Sequence, residues 1–308
     1  MDIIIYSAKK VYHLKSAQIL ILICLFPALF VAACIPSKKL TVAATATLLE
    51  EVAKSTYQQS DLKMVREGMP AYLMLMDGMV EALPGNEQLL INTAQAYSSF
   101  ASVFVEEKDP EYATWLYSKA RMYAIRALKA RGLPDPLQSH VDALKEDLNG
   151  LGKKDVPYLF WAATSWGSWI KLNLNSMEAL AELPKVELMM KKVLELDEGF
   201  YYGGPHLFMG IWFASRPKLA GGDLLKAQQH FRTALKFGQG KFLMAHVYYA
   251  NYYARQALDK DLFVSTLQTV LDAPANISPE LTLLNTVAKE KAKDLLSRQE
   301  EYFDEENI

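Results

Sequence analysis

Apolar and polar positions follow a helical period from about residue 48 almost to the end of the chain, and no alternating run of β-branched residues is long enough to argue for a strand. Breakers interrupt the period at Pro84-Gly85-Asn86, at Asp109-Pro110, and around residues 132–136, 150–157, 203–205, 221–222, 238–240 and 274–279. Between them the pattern predicts roughly a dozen helices, most of them paired by short turns. Two rhythms recur in those pairs. In one, a small residue is followed by an aromatic one three positions later: Ala94 and Tyr97, Ala163 and Trp166, Gly210 and Phe213, Ala250 and Tyr253. In the other, residues four and three apart share one helix face: Ala120, Ala124 and Ala127; Val186, Met190 and Val193; Ala227, Phe231 and Ala234; Phe263, Leu267 and Val270.

Taken in order, these rhythms resemble the two helices of a tetratricopeptide (TPR) repeat. The predicted fold is therefore all-α, with about four TPR-like helix-turn-helix repeats stacked as an α-solenoid. The small residues of successive first helices lie 69, 47 and 40 positions apart, against about 34 for a regular repeat. The extra length is expected in long loop insertions and in an inserted helix at residues 135–148. An upstream helix at 72–79 would belong to a partial repeat. A charged amphipathic helix at 280–302 is expected to cap the open end of the solenoid, with a frayed tail beyond it.

Upstream of the periodic region, Lys9, Lys10 and Lys15 precede an apolar run at residues 19–33 that ends in Val31-Ala32-Ala33-Cys34. This resembles a bacterial lipoprotein signal, with Val31 where such signals usually carry leucine. The run is short for the roughly 20 residues that a membrane span requires. The expected organisation is a signal peptide over residues 1–33, a small polar tether over 34–47 and a helical TPR-like domain over 48–308. Cys34 would carry the lipid that anchors the exported protein to an envelope membrane. Cleavage would also remove Cys24, which leaves no disulfide within one mature chain. It would leave 30 basic and 34 acidic side chains, a balance that gives no electrostatic case for binding nucleic acid.

Candidate chemistry is sparse. There is no GxSxG, no P-loop, no nucleotide-binding glycine run and no cysteine nucleophile in the mature chain, so the sequence predicts no enzyme and no catalytic residue. His206, His230 and His246 fall on neighbouring helices, but no HExxH, cysteine pair or carboxylate at ligand spacing accompanies them. No metal site and no cofactor is expected, and His206 is read as a hydrogen-bonding side chain that fixes the turn around it.

The most specific stretch is 203–235. It contains Gly203-Gly204-Pro205-His206, Gly210, Arg216-Pro217, the turn from Leu219 to Asp223, and then Ala227 and Phe231. With the lipoprotein signal and the divergent repeats, these residues resemble the T component of tripartite ATP-independent periplasmic (TRAP) transporters, from the signal to the last helix. The resemblance implies a periplasmic lipoprotein that forms a homotrimer, holds a hydrophobic channel through each protomer and docks the solute-binding P subunit. The chain departs from the usual repeat at Val186 and Phe263, where alanine is common.

In a TPR array, four positions of each first helix face the concave surface. Carried onto this sequence, they are Ile91, Phe160, Thr164, Leu207, Ile211, Met244, Val247 and Asn251, with Gln88 and Gln95 nearby. A groove that clasps acidic peptide tails would show lysine and arginine there. This face is largely apolar, which predicts a pore or groove for a hydrophobic or amphipathic ligand lined by Ile91, Phe160, Leu207, Ile211, Met244 and Val247. The competing expectations are that a neighbouring helix buries these residues, making the protein a plain envelope scaffold, or that a carboxylate or histidine site serves a hydrolase. Arg216 and Asp223, in the long loop of the third repeat, are the candidates for contact with a partner or another subunit.

Overall fold

The computed structural model describes residues 37–304. The chain divides between Thr47 and Leu48 into two compact units. Helix α1 (Ser37–Tyr57) crosses that boundary, so the segment read as a tether is helical from residue 37. No strand occurs among the described residues, and none of the helices there is long and apolar enough to cross a membrane.

Within the second unit, α2 (Leu62–Ala82) precedes four helix pairs. They are α3 (Glu87–Phe100) with α4 (Pro110–Ala130), α6 (Val156–Lys171) with α8 (Leu183–Asp197), α9 (Phe200–Ala214) with α10 (Leu224–Gly238), and α11 (Met244–Tyr248) with α12 (Lys260–Asp272). The inserted helix is α5 (Val141–Asn149), which packs on α8, and a single-turn helix α7 (Met177–Ala181) precedes α8. The all-α repeat fold read from the sequence is the fold observed.

Local chemistry sets the start of the second helices. Asp109, Asp223 and Asp259 each precede such a helix and accept a hydrogen bond from a backbone N–H of its first turn, at 2.9 Å from Tyr112, 3.1 Å from Lys226 and 2.9 Å from Leu262. These N–H groups have no partner inside the helix, so each carboxylate satisfies one of them. Pro110 after Asp109 fits the first helical position for the same reason. The buried faces are those of the sequence rhythm: Ala120, Ala124, Ala127, Val186, Met190, Val193, Ala227, Phe231, Ala234, Phe263, Leu267 and Val270 are all inaccessible to solvent. Gly210 is the point of closest approach in the third pair. A Cβ there would lie 3.0 Å from the Phe231 ring, so the ring of one helix lies on the bare backbone of the other.

Three features differ from the sequence reading. The reversal before the third pair falls on Tyr201 (φ 49°), Tyr202 (φ 59°) and Gly203 (φ 78°), so it begins two residues ahead of the Gly-Gly-Pro-His run and takes in that run's first glycine, with helical backbone from Gly204. Two adjacent tyrosines in left-handed backbone break the preference that places glycine there, which is why the breakers pointed two residues too late. The C-terminal cap is two helices, α13 (Thr282–Ser297) and α14 (Gln299–Phe303), parted at Arg298. The break lets Tyr302 and Phe303 turn back onto Phe263 of α12, with ring centroids 6.1 and 5.3 Å away. Finally, α3 and α11 each run into a π-helical segment, Ala101–Val105 and Tyr249–Ala254, where backbone bonds span five residues, as from Glu106 N–H to the Ala101 carbonyl (2.9 Å).

The array turns back on itself. Val103 in the first π segment and Leu62 at the start of α2 pack against the C-terminal core that contains Val287, and Lys291 of α13 pairs with Glu107. Between these elements lies a cleft of about 500 Å³ bordered by Arg66, Ser102, Phe104, Glu107, Lys291 and Asp294.

Candidate functional site

The first helices of the repeats turn one face inward, and the side chains that meet there are more polar than the sequence suggested. Along α3 and its π extension, Gln95, Ser99, Ser102 and Glu106 follow one another at steps of four, three and four, and so form one stripe. Thr164 and Lys171 continue the Phe160 position along α6 in the same way. Tyr57 closes the group from the end of α1, Tyr201 from the left-handed turn, and Tyr248 and Tyr252 from α11 and its π extension.

Contacts join these groups into a chain. Gln95 donates from Nε2 to the Tyr57 oxygen at 3.1 Å, and Ser99 and Tyr201 approach the same phenol. Tyr201 packs against Trp161 and Phe160, with ring centroids 5.3 and 5.9 Å away. At the other end Tyr117 donates its hydroxyl to Glu106 Oε2 (2.6 Å), and Lys171 donates to Glu106 Oε1. Ser102 approaches the phenols of Tyr117 and Tyr248, while Tyr248 and Tyr252 lie edge to face at 5.9 Å.

These side chains combine two properties that the outer surface does not. Burial is the main cause that raises the phenols of Tyr57, Tyr201 and Tyr248, the last to about 12. Burial also presses on the Lys171 ammonium, but Tyr252, Glu106 and Tyr248 outweigh it and hold the group charged, well above the ordinary lysine range. All four residues nevertheless keep part of their surface accessible, 38% of the side chain for Lys171. They are thus half-buried, neither packed away like the core nor open like the outer surface. Thr164 Oγ1 is buried and has no hydrogen-bond partner among the described residues.

Of the residues expected to line a pore, Phe160 borders this group through Tyr201. Leu207, Met244 and Val247 are buried in one core cluster, with Ile211 packed against it, and Ile91 is buried as well. Arg216 donates from Nε to the Trp212 carbonyl (3.0 Å) and lays its guanidinium over the Trp212 ring, while Asp223 caps α10. Both therefore shape the loop from within, and the large apolar side chain that projects from it is Leu219, which is fully exposed. Cys34 lies outside the described residues. The sequence reading missed Ser99, Ser102, Glu106 and Lys171, although extending the stripes of Gln95 and Thr164 by helical steps reaches them. No comparable signal marks Tyr201.

The histidines form a separate, local contact. His206 and His230 face each other through Nδ1 atoms 2.9 Å apart, one ring donating to the other, and His206 Nε2 lies 3.2 Å from Glu198. His206 thus ties the start of α9 to α10 and to the residue before the turn. Burial, then the neighbouring His206, lowers His230 to about 4. The sign follows: the unfolded chain takes up a proton near pH 6.5 that the folded chain refuses until about pH 4. This contribution to stability is therefore complete above pH 6.5 and lost progressively below it. The melting temperature is expected to fall over that window, and His230→Phe should flatten the fall. Among the described residues no group of three or more histidine, cysteine, aspartate or glutamate side chains could hold a metal ion.

Four stacked helix pairs place the chain in the helical-repeat, or solenoid, class. The model of one protein family, the TRAP transporter T-component, matches residues 58–303, and the chain belongs to that family. The match assigns it to the accessory components of a transporter. No curated protein matches the sequence.

Proposed function

We propose that the protein is an envelope lipoprotein, anchored through Cys34 on the periplasmic side, that binds the solute-binding P subunit of its TRAP transporter and carries an apolar or amphipathic ligand inside each protomer of a homotrimer. The observation that carries the ligand reading is the group of interior side chains, Tyr57, Thr164, Lys171, Tyr201 and Tyr248, that stay partly accessible though protein surrounds them. The ligand path runs along the stripe from Phe160 to Lys171, opposite Gln95, Ser99 and Ser102. Ile91, Leu207, Met244 and Val247 support it from behind as core.

Native mass spectrometry of the protein from residue 35 onward, alone and with a TRAP solute-binding P subunit, tests the reading. A trimer with apolar adducts that captures the P subunit is the expected result. A monomer without adducts that ignores the partner would leave the plain scaffold reading.

The exposed loop of the third pair is the proposed contact with the P subunit. Leu219 is fully exposed, and Leu225 nearby is three-quarters exposed at 74%. A projecting leucine buried at an interface is worth about 1.5–3 kcal/mol. Leu219→Asp is expected to weaken capture of the P subunit at least about tenfold and to leave the melting temperature unchanged. Unchanged capture would move the contact elsewhere.

A further inference from the structure

The interior site holds one cation and one anion, and they neutralise each other. Glu106 accepts from Tyr117 and from Lys171, which leaves acceptor capacity on its two oxygens. Lys171 gives one of its three N–H groups to Glu106, and its charge is coupled to the nearby Tyr252 and Tyr248. The remaining lining is uncharged and capable of hydrogen bonding: Tyr57, Gln95, Ser99, Ser102, Thr164 and Tyr201. The other end of the group is aromatic, with Phe160, Trp161 and Phe200 around Tyr201.

We infer that this site selects amphiphiles whose head group carries no net charge: the head lies against the Lys171–Glu106 pair and the phenols, and the apolar tail runs toward Phe160 and Trp161. The inference rests on the ligand-path reading above. Its reason is electrostatic. An ion placed beside a pair that is already compensated finds no counter-charge, and it must give up its hydration to come there. A hydroxylated or zwitterionic head can instead accept from Lys171 and donate to Glu106, adding hydrogen bonds without adding net charge. The pair thus acts as a filter against ions, whereas a lone lysine would attract carboxylates.

The test uses four ligands that share one ten-carbon chain and differ in head charge: 1-decanoylglycerol, decylphosphocholine, decanoate and decyltrimethylammonium, each below its aggregation concentration. Binding to the protein from residue 35 onward is measured by calorimetry. The two net-neutral ligands are expected to bind about tenfold or more tighter than either ion. Glu106→Gln keeps an acceptor for Tyr117 but leaves Lys171 uncompensated, so decanoate should become the tightest of the four. Lys171→Met should favour decyltrimethylammonium. The double variant restores neutrality and should restore the preference for neutral heads, and melting curves confirm that each variant folds. Tighter binding of decanoate than of 1-decanoylglycerol by the unsubstituted protein, or an order unchanged in Glu106→Gln, would overturn the inference and leave the ligand path standing. Binding of none of the four would overturn both.

Discussion

Replacing Phe231 with alanine is expected to destabilise the folded chain by about 3–5 kcal/mol, the cost of truncating a fully buried phenylalanine. The ring has no accessible surface, lies on Gly210 of α9 and packs against Tyr249 of the fourth pair, 5.8 Å between centroids. It therefore joins two repeats as well as the two helices of one. Collapse cannot fill the gap cheaply, because the facing position on α9 is a glycine with no side chain to move inward. Urea denaturation should show a lower midpoint with an unchanged slope, the signature of a stability change alone. A loss below about 1 kcal/mol would mean that the third and fourth pairs are less tightly coupled than their packing implies.

Gly203→Ala is the second large effect, and it reaches the interior site. The residue has φ 78°, and a Cβ there would lie 2.9 Å from Phe237 Cβ and 3.0 Å from Ala234 Cα. Left-handed backbone costs a residue with a Cβ about 1–2 kcal/mol, and overpacking against a neighbouring helix about 1–3 kcal/mol more. Part of this strain can be relieved by moving α9 away from α10, which would pull Tyr201 and Tyr202 from their places. Ligand binding should therefore fall together with the melting temperature. If the melting temperature falls while binding is untouched, the turn does not position the site.

How far the sequence carried the reading is clearest in particular residues. The repeat pairs were legible because the positions that must be small or apolar, such as Ala94, Ala163, Ala227 and Phe231, are fixed by helix contact, and contact leaves a period in the chain. The site was less legible because the concave positions were taken from a regular array, and this array is not regular. The two π segments each widen the helix, so residues beyond them no longer fall where a 3.6-residue period puts them. Tyr252 lies within the second of them, whereas Val247 precedes it and is core because α11 packs directly on its neighbours. Tyr201 owes its place to a backbone conformation that its type disfavours, and no pattern of hydrophobicity records that. Polar stripes carry little weight in a sequence because most of them face solvent, and Gln95, Ser99 and Ser102 read that way until the fold folds around them.

The return of α13 to the start of α2 changes how the molecule comes together and apart. An open solenoid is stabilised between nearest neighbours, so its repeats can form and fray one at a time. Here the pairing of Lys291 with Glu107 joins residues 184 positions apart. A contact of that range forms only after the intervening repeats have brought its ends together, and the loop it closes runs from the turn after α3 to α13. The seam carries an ion pair that is largely exposed on the Glu107 side, beside a cleft of about 500 Å³, so it is held less firmly than the repeats it joins. Brief parting of that seam is expected to be more frequent than opening of the repeats themselves, and faster hydrogen exchange in the first turns of α2 and in α13 than in the repeat cores would report it.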